Sequence, residues 1–432
     1  MTITALPNLA AAIAERLLDP ESITAEAGPA ATSLSRGLAG TALLHARLSA
    51  TDLRFQKAAD LHWARAAQIN TSHPQRVGGI FNGVGALAAS LILGTPYLPD
   101  PEPYRRPVQR GVGWLSARAT AIAAWQRDRR DAGEPGTPWQ TYDLINGLSG
   151  IGRVLLAAAQ AGQGRAEPGM LAARDSLTAM INMDGGRPGW WRPTPRSSAA
   201  LADPHNRDAA NTGLAHGIAG PLAFLAACQL AGRGDDATAD AMRAAARWLL
   251  AWRAEGSWPP QITADDLAGT ASTPSTRGRR DAWCYGAPGI GAALIAAGEA
   301  LQDPDLTQVG HSAIAALSTR AWDTEGPTLC HGSAGVLLCA QTIGNTATAR
   351  RADDALADQY DPALPFAFQH RDHGQATDEP GLLVGAAGIA LTLADRSGLA
   401  DRQVTTPWSA ALLMPTPCPS QPVLTTEGRF PR

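Results

Sequence analysis

Two cysteines of this chain lie at matching points of two similar glycine turns, and a histidine follows the second. The turns are DAWCYGAPGIG at residues 281–291 and TLCHGSAGVL at residues 328–337. Two thiolates and one imidazole leave one position of a tetrahedral zinc ion open, which is typical of a catalytic zinc site. Neighbours such as Cys330 and His331 diverge by about 100° inside a helix, so they can share a metal only where the chain turns. Cys284, Cys330 and His331 are therefore candidate ligands of one Zn²⁺ ion, with ordinary buried thiols as the alternative for the two cysteines.

Two further turns carry residues that can take part in proton transfer. His216 lies in GLAHGIAG, residues 213–220, and an imidazole titrates near neutral pH. It is a candidate acid–base group, with a hydrogen-bonded core histidine as the alternative. Asp143, in DLINGLSG, is predicted either to orient that histidine or to cap its own helix.

Arg280 and Tyr285 flank Cys284 and are candidates for stabilising a negative charge that develops nearby. For Arg280, an ion pair in the neighbourhood of Asp281 or contact with solvent is the alternative. The other cysteines lack the register of the glycine turns and are expected to be ordinary buried or unreactive thiols. They are Cys228, Cys339 and Cys418.

The glycine turn recurs seven times along the chain. Each copy has two small residues three positions apart and then an Ala/Leu/Ile/Val run, with the second glycine placed at 40, 83, 150, 220, 289, 335 and 388. The second copy is the loosest, because Ile80 stands where the others have their first glycine. Intervals of about 40 residues or more suit one pair of helices. Each unit is therefore predicted to have an outer amphipathic helix and an inner apolar helix.

These units predict an all-α fold, since aromatic residues make up only 5% of the chain and β-branched alternation is scarce. Helix pairs can stack as an open superhelix or close into a ring. Small residues at the start of each inner helix favour the ring, because they let backbones approach one axis. A single domain is predicted for residues 1–400, with residues 401–432 as a C-terminal tail. The long polar segments 185–213 and 263–280 are expected to line a site or to be mobile.

Composition excludes several classes of partner. The formal net charge of −3 shows no basic excess, so nucleic acid is not an expected partner. No apolar run is long enough to predict a membrane span, and the N-terminal segment lacks the features of a secretory signal peptide. Five scattered cysteines, an odd number, favour thiols or metal ligands over disulfides. The expected location is the cytoplasm.

Four of the segments resemble motifs of the lanthionine synthetase C-like family, the cyclases of lantibiotic biosynthesis. They are WCYGAPG (283–289), CHGSAG (330–335), GLAHGIAG (213–220) and DLINGLSGIG (143–152), within a similarity that spans roughly residues 30–395. The resemblance implies an α/α toroid of seven inner and seven outer helices with one zinc ion at its mouth. It also implies that the zinc ligands are Cys284, Cys330 and His331, and that the acid–base chemistry involves Asp143, His216, Arg280 and Tyr285.

The resemblance further implies a lanthipeptide cyclase. Such an enzyme adds peptide cysteine thiols to dehydroalanine or dehydrobutyrine and so forms lanthionine or methyllanthionine thioether rings. The expected substrate is a dehydrated precursor peptide with its leader. Because the chain is too short for a fused dehydratase domain, a separate dehydratase is the expected partner, and an export transporter is a further candidate. The alternatives are another zinc-dependent thiol-alkylating enzyme, similar to a prenyltransferase, and a non-catalytic scaffold of a peptide-modification complex.

Overall fold

Helices dominate the computed structural model, which describes residues 6–73, 78–182, 187–192, 208–269, 280–399 and 404–415. In chain order they are α1 (Leu6–Arg16), α2 (Pro20–Ala27), α3 (Leu38–Leu48), α4 (Leu53–Ser72), α5 (Gly83–Gly94), α6 (Arg105–Asp131), α7 (Trp139–Tyr142), α8 (Leu148–Gln160), α9 (Glu167–Ile181), α10 (Ala219–Leu230), α11 (Asp236–Ala251), α12 (Ala264–Ala268), α13 (Ala287–Leu301), α14 (Pro304–Ala315), α15 (Ser333–Thr342), α16 (Thr346–Asp358) and α17 (Ala386–Ser397).

The helices that follow the glycine turns form a closed inner ring. Within the described residues these are α3, α5, α8, α10, α13, α15 and α17, each in contact with the next, and α17 contacts α3 again. Six inner helices pack against the outer helix that follows them, namely α4, α6, α9, α11, α14 and α16. The seventh, α17, packs against α1 from the other end of the chain. The predicted all-α class and α/α toroid are confirmed.

Two short antiparallel strand pairs accompany the helices in the described part of the chain. Strand β1 (Ala209–Asn211) pairs with β2 (Gln261–Thr263), and β3 (His370–Asp372) pairs with β4 (Gln375–Thr377). Both pairs lie beside glycine turns, because β1 leads into the fourth turn and the carbonyl of Arg371 accepts a hydrogen bond from His331 of the sixth. None of the described helices combines the length and the apolar character that a membrane crossing requires.

The proposed division of the chain at residue 400 stays a prediction. Within the predicted tail, residues 404–415 are described, and a 3₁₀ helix at Trp408–Leu412 lies buried against α5 and α8. Residues 401–403 and 416–432, including Cys418, lie outside the described residues.

The second glycine of each turn is required by a close backbone contact. A Cβ atom at this position would lie 1.9–2.7 Å from the carbonyl oxygen six residues earlier in the chain. In the second turn the residue that makes this contact is Gly85, which faces the carbonyl of Gly79. The prediction that Gly83 is the second glycine of this turn is therefore wrong. Asn82, not Ile80, takes the place of the first glycine before α5. The glycines that share the contact are Gly40, Gly85, Gly150, Gly220, Gly289, Gly335 and Gly388.

We expect Gly150→Ala to lower the free energy of unfolding by about 2–4 kcal/mol, because its methyl group would meet the Leu144 carbonyl oxygen at 1.9 Å. The control is Gly113→Ala in α6, where nothing lies within 4 Å of the new Cβ atom. Alanine there should stabilise the helix by about 0.5–1 kcal/mol. Urea unfolding of both variants measures the difference, and equal effects would contradict the proposed contact.

The ring closes where the two ends of the domain meet. The backbone N–H of Leu382, in the last turn, donates to the carbonyl of Leu34 in the first turn at 3.0 Å. Arg47 on α3 forms an ion pair with Asp395 on α17 at 3.0 Å. Because the Arg47 side chain is only 5% exposed, solvent screens this pair weakly.

Two buried histidines form hydrogen bonds with the backbone of the two residues that follow α1. The Nε2 atoms of His45 and His62 donate to the carbonyls of Leu17 and Leu18, at 2.9 and 3.1 Å. The two rings meet edge to face with centroids 5.0 Å apart. Burial lowers the pKa of His45 to about 3 and that of His62 to about 4. Both imidazoles are therefore neutral in the folded protein at neutral pH.

We expect acid to weaken the fold through these histidines. In the unfolded chain they take up protons near pH 6.5, whereas the folded chain keeps them neutral to about pH 4. The unfolded state therefore binds more protons below pH 6.5, and stability is lost as the pH falls. Between pH 7.5 and 5 each histidine should cost about 2 kcal/mol of unfolding free energy.

The control for this prediction is His45→Gln, which keeps a side-chain N–H donor for Leu17 but does not titrate. Urea unfolding at several pH values should show that this variant loses about half of the histidine contribution. A pH dependence identical to that of the unaltered chain would contradict the role of His45.

Candidate functional site

Backbone hydrogen bonds join neighbouring glycine turns at the residues that could do chemistry. The N–H of Leu144 donates to the carbonyl of Ala215 at 3.0 Å, and the N–H of Ala215 donates to that of Cys284 at 3.2 Å. The N–H of Cys284 in turn donates to the carbonyl of Cys330 at 3.1 Å. The third to sixth turns are thus joined in order around one sector of the ring, which brings together side chains that are distant in sequence.

Cys284, Cys330 and His331 form a cluster that could hold a metal ion. Their donor atoms all lie within 4.8 Å of one another. Cys284 and His331 are buried, while Cys330 is partly exposed. A hydrogen bond between the two sulfurs lowers the pKa of Cys284 and, with burial, raises that of Cys330. The nearby charge of Arg280 also favours the thiolate form, so the cluster is suited to thiolate chemistry.

Strand β3 supports the imidazole of this cluster. Nε2 of His331 lies 3.3 Å from the carbonyl oxygen of Arg371. Because a carbonyl only accepts hydrogen bonds, Nε2 carries the hydrogen, and Nδ1 of the neutral ring keeps a lone pair for a metal. The carboxylate of Asp372 is 4.0 Å from Nε2, and the ring of His370 is 5.0 Å from that of His331.

His370 and Asp372 were not candidates for the site from the sequence alone. The run HRDH at residues 370–373 concentrates titratable side chains, but it lies outside the glycine turns and pairs with β4. The β3–β4 hairpin folds back against the sixth turn, and this contact places His370 and Asp372 beside His331.

Asp143, which is buried, and His216, which is partly exposed, form a hydrogen-bonded pair. Oδ2 of Asp143 lies 2.7 Å from Nδ1 of His216, and Oδ1 accepts the backbone N–H of Asn146 at 2.8 Å. The carboxylate thus makes both contacts that the sequence left open, the histidine contact and a contact within its own turn. Burial raises the pKa of Asp143, while the hydrogen bonds from His216 and Asn146 act in the opposite direction. Because the carboxylate accepts the Nδ1 hydrogen, Nε2 of the neutral ring is left free to exchange a proton.

The ring of His216 is held between aromatic neighbours. Trp139 meets it edge to face at a centroid distance of 4.3 Å, and the ring of Tyr285 is 6.5 Å away. Its side chain is 29% exposed, whereas that of Asp143 is fully buried. The histidine therefore faces the opening of the site, and the carboxylate lies behind it.

Tyr285 and Arg280 both lie close enough to Cys284 to interact with its charge. Burial and the Cys284 charge raise the pKa of Tyr285, so its hydroxyl stays protonated and can donate a hydrogen bond. Gly213 makes room for this ring, since a Cβ atom there would lie 2.4 Å from it. Arg280 is 3.7 Å from the carboxylate of Glu325. The neighbouring Asp281 is instead paired with Arg320.

Arg192 is a site residue that sequence analysis missed. It is buried, it bridges to Ala209 at the start of β1, and its charge lowers the pKa of Tyr142 and of Tyr285. It belongs to the long polar segment 185–213, which therefore contributes at least this residue to the site. Residues 183–186, 193–207 and 270–279, which include much of the two predicted loops, lie outside the described residues.

Of the cysteines predicted to be ordinary thiols, the two that the structure describes lie inside inner helices and outside the cluster. Cys228 is buried in α10 and Cys339 in α15, each with its sulfur 3.9 Å from a methionine sulfur. Burial raises the pKa of both thiols, which keeps them protonated at neutral pH.

The chain is similar to known proteins in both sequence and fold. The family model described as "Lanthionine synthetase C-like protein" matches residues 28–412. The nisin biosynthesis protein NisC of Lactococcus lactis subsp. lactis is 24% identical over 313 residues, which cover 71% of this chain and 72% of that protein. A solved structure named nisin cyclase is similar with a TM-score of 0.68 and 20% identity, over 91% of this chain and 96% of that chain. The structural similarity supports the toroid fold.

Proposed function

The chain belongs to the lanthionine synthetase C-like family, and from this we propose that it is a zinc-dependent lanthipeptide cyclase. The observation that carries the proposal is that a possible metal-binding cluster and a possible acid–base pair lie in the same sector of the ring. One is the cluster of Cys284, Cys330 and His331, and the other is the pair of Asp143 and His216. The reaction that uses both is the addition of a peptide cysteine to a dehydroamino acid.

The donor set of the cluster suits zinc. Thiolate and imidazole are ligands that zinc accepts, whereas Mg²⁺ and Ca²⁺ prefer oxygen ligands. Three protein ligands leave a fourth position for a substrate atom. The chemistry that zinc supplies when bound there is deprotonation of an incoming cysteine thiol, whose ordinary pKa is about 8.5.

The ring-forming step is a Michael-type addition that changes no oxidation state. The substrate sulfur bonds to the β-carbon of dehydroalanine or dehydrobutyrine, and the electrons of the double bond move to the carbonyl to give an enolate. A proton must then be delivered to the α-carbon. In the proposed step, Nε2 of His216 accepts the proton that the substrate thiol releases and then delivers a proton to the α-carbon. Asp143 holds the ring by the bond at Nδ1.

The developing enolate needs hydrogen-bond donors or positive charge close to it. We assign this role to Arg280 and Tyr285, which lie beside Cys284 and hence beside the substrate sulfur. The raised pKa of Tyr285 keeps its hydroxyl a donor, and Arg280 supplies a permanent charge.

The proposed substrate is a dehydrated precursor peptide that carries its leader. A separate dehydratase would then supply this substrate, and an export transporter would take the product. Cytoplasmic location is part of the same proposal.

Metal analysis and mass spectrometry test the function together. The purified chain should contain one zinc per molecule and should convert a dehydrated precursor peptide into rings. Ring formation leaves the peptide mass unchanged but protects its cysteines from a thiol-alkylating reagent. Transfer of an isoprenoid group from its diphosphate to a thiol would instead support the prenyltransferase-like alternative. A metal-free chain that binds peptide and dehydratase without forming rings would support a scaffold.

A further inference from the structure

The segment 404–415 returns into the inner ring after α17 has closed it. All residues from Trp408 to Met414 are buried, and Trp408, Ala410, Ala411 and Leu412 have no exposed surface. A surface tail would expose alternate side chains, so this segment is part of the interior.

The segment is anchored at the end of the ring that lies opposite the glycine turns. The backbone N–H of Trp408 donates to the hydroxyl of Tyr97 at 3.0 Å, and its indole N–H donates to Asp395 at 2.7 Å. The Thr406 hydroxyl contacts Gln160 at 3.2 Å. Tyr97, Asp395 and Gln160 all lie at or beyond the C-terminal ends of inner helices, whereas the turns precede the N-terminal ends.

From this anchor the segment extends toward the metal cluster. The sulfur of Met414 lies 3.9 Å from that of Cys339 in α15, and the Leu413 side chain lies 3.7 Å from the Cβ position of Gly220 in α10. The carbonyl of Leu412 accepts the indole N–H of Trp283 at 3.0 Å. Trp283 is fully buried and directly precedes Cys284.

These contacts place the segment on the axis of the ring. Its described residues touch α5, α8, α10, α15 and α17 and the turn before α13, and only a segment at the centre can reach inner helices on all sides. The end of the ring opposite the cluster is therefore filled by the chain itself.

We propose that residues 404–415 form an axial plug that supports the metal centre from the end of the ring opposite the glycine turns. Trp283, which contacts the plug and precedes Cys284, is the positioning residue. Trp283 also lies against the next inner helix, because its Cβ atom is 3.0 Å from the Cβ position of Gly335 in α15. It is thus wedged between the helices that follow the Cys284 and Cys330 turns. Since the plug occupies the far end of the ring, we expect substrate to reach the site from the face of the glycine turns. This inference rests on the proposed metal site.

The test compares Trp283→Phe with Trp258→Phe in the full chain. Both changes remove one indole N–H that donates from a buried ring to a backbone carbonyl, but only Trp283 donates to the plug and adjoins a proposed ligand. We expect Trp283→Phe to weaken zinc binding by about 10–100-fold in competition with a chromogenic chelator. The absorption spectrum of the Co²⁺-loaded chain should shift as well. Trp258→Phe, which loses the hydrogen bond to the carbonyl of Leu249, should lower the melting temperature while leaving zinc affinity and the Co²⁺ spectrum unchanged.

The outcomes separate this inference from the proposed function. If the unaltered chain binds zinc and Trp283→Phe binds it equally well with the same Co²⁺ spectrum, the plug has no part in the metal centre. Equal weakening of zinc binding by both variants would also overturn the inference, because it would indicate a general loss of stability. An unaltered chain that takes up no metal would overturn the proposed function and, with it, the inference.

Discussion

A chain with Cys330→Ala is expected to lose zinc and ring formation together. Removal of one of three protein ligands should weaken zinc binding by at least about 100-fold. Without the metal an incoming thiol stays mostly protonated at neutral pH, and the loss of several kcal/mol of catalysis corresponds to about a 10³-fold slower reaction. Zinc is measured by competition with a chelator, and ring formation by mass spectrometry after thiol alkylation.

The matched control is Cys339→Ala, which removes another cysteine nine positions further along the same segment. Its thiol lies inside α15 beside Met414, and burial raises its pKa, so it is no candidate ligand. This variant should keep one zinc and a near-normal rate. Normal ring formation by a metal-free Cys330→Ala chain would refute the proposed role of the metal.

A chain with His216→Ala is expected to keep its zinc and yet form rings about 10²–10⁴-fold more slowly. The histidine belongs to a different turn from all three proposed ligands, so its removal leaves the cluster intact. What is lost is the group proposed to move the proton that the enolate needs. Metal content and single-turnover ring formation, measured on the same sample, separate the two effects. The exposed His73, at the end of α4, supplies the control variant His73→Ala, which should change neither.

Asp143 offers a sharper test of the same pair. If it acts by orienting His216, then Asp143→Asn should slow ring formation alone but should add nothing to His216→Ala, because the two residues act as a unit. An additional loss of rate in the double variant would assign Asp143 a separate role. Unfolding measurements on the same variants report any loss of its bond to the N–H of Asn146.

Much of the site could be predicted because its residues occupy a repeated position. Cys284 and Cys330 both lie five residues before the second glycine of their turns, and His216, Tyr285 and His331 lie four residues before it. Side chains at equal positions in successive repeats of a ring face the same end. Residue type and repeat register were therefore enough to suggest that these groups converge.

The residues that were missed do not belong to the repeat. Arg192 and His370 reach the site on segments between the helical units, through strand pairing and a returning hairpin. Their positions depend on contacts with elements far along the chain, which periodicity does not encode. The register of the second turn was misplaced for a related reason. Gly83 and Gly85 are equally plausible from spacing, and only the carbonyl of Gly79 decides between them.

The sequence by itself determined the helical class, the number of turns and the types of side chain at each turn, because these follow from local composition and spacing. The tertiary structure decided how the ring closes, with α1 beside α17, and where residues 404–415 go. Apolar residues specify that a segment is buried but not which partner buries it. That choice is made by packing around one shared axis, which exists only after all seven units have assembled.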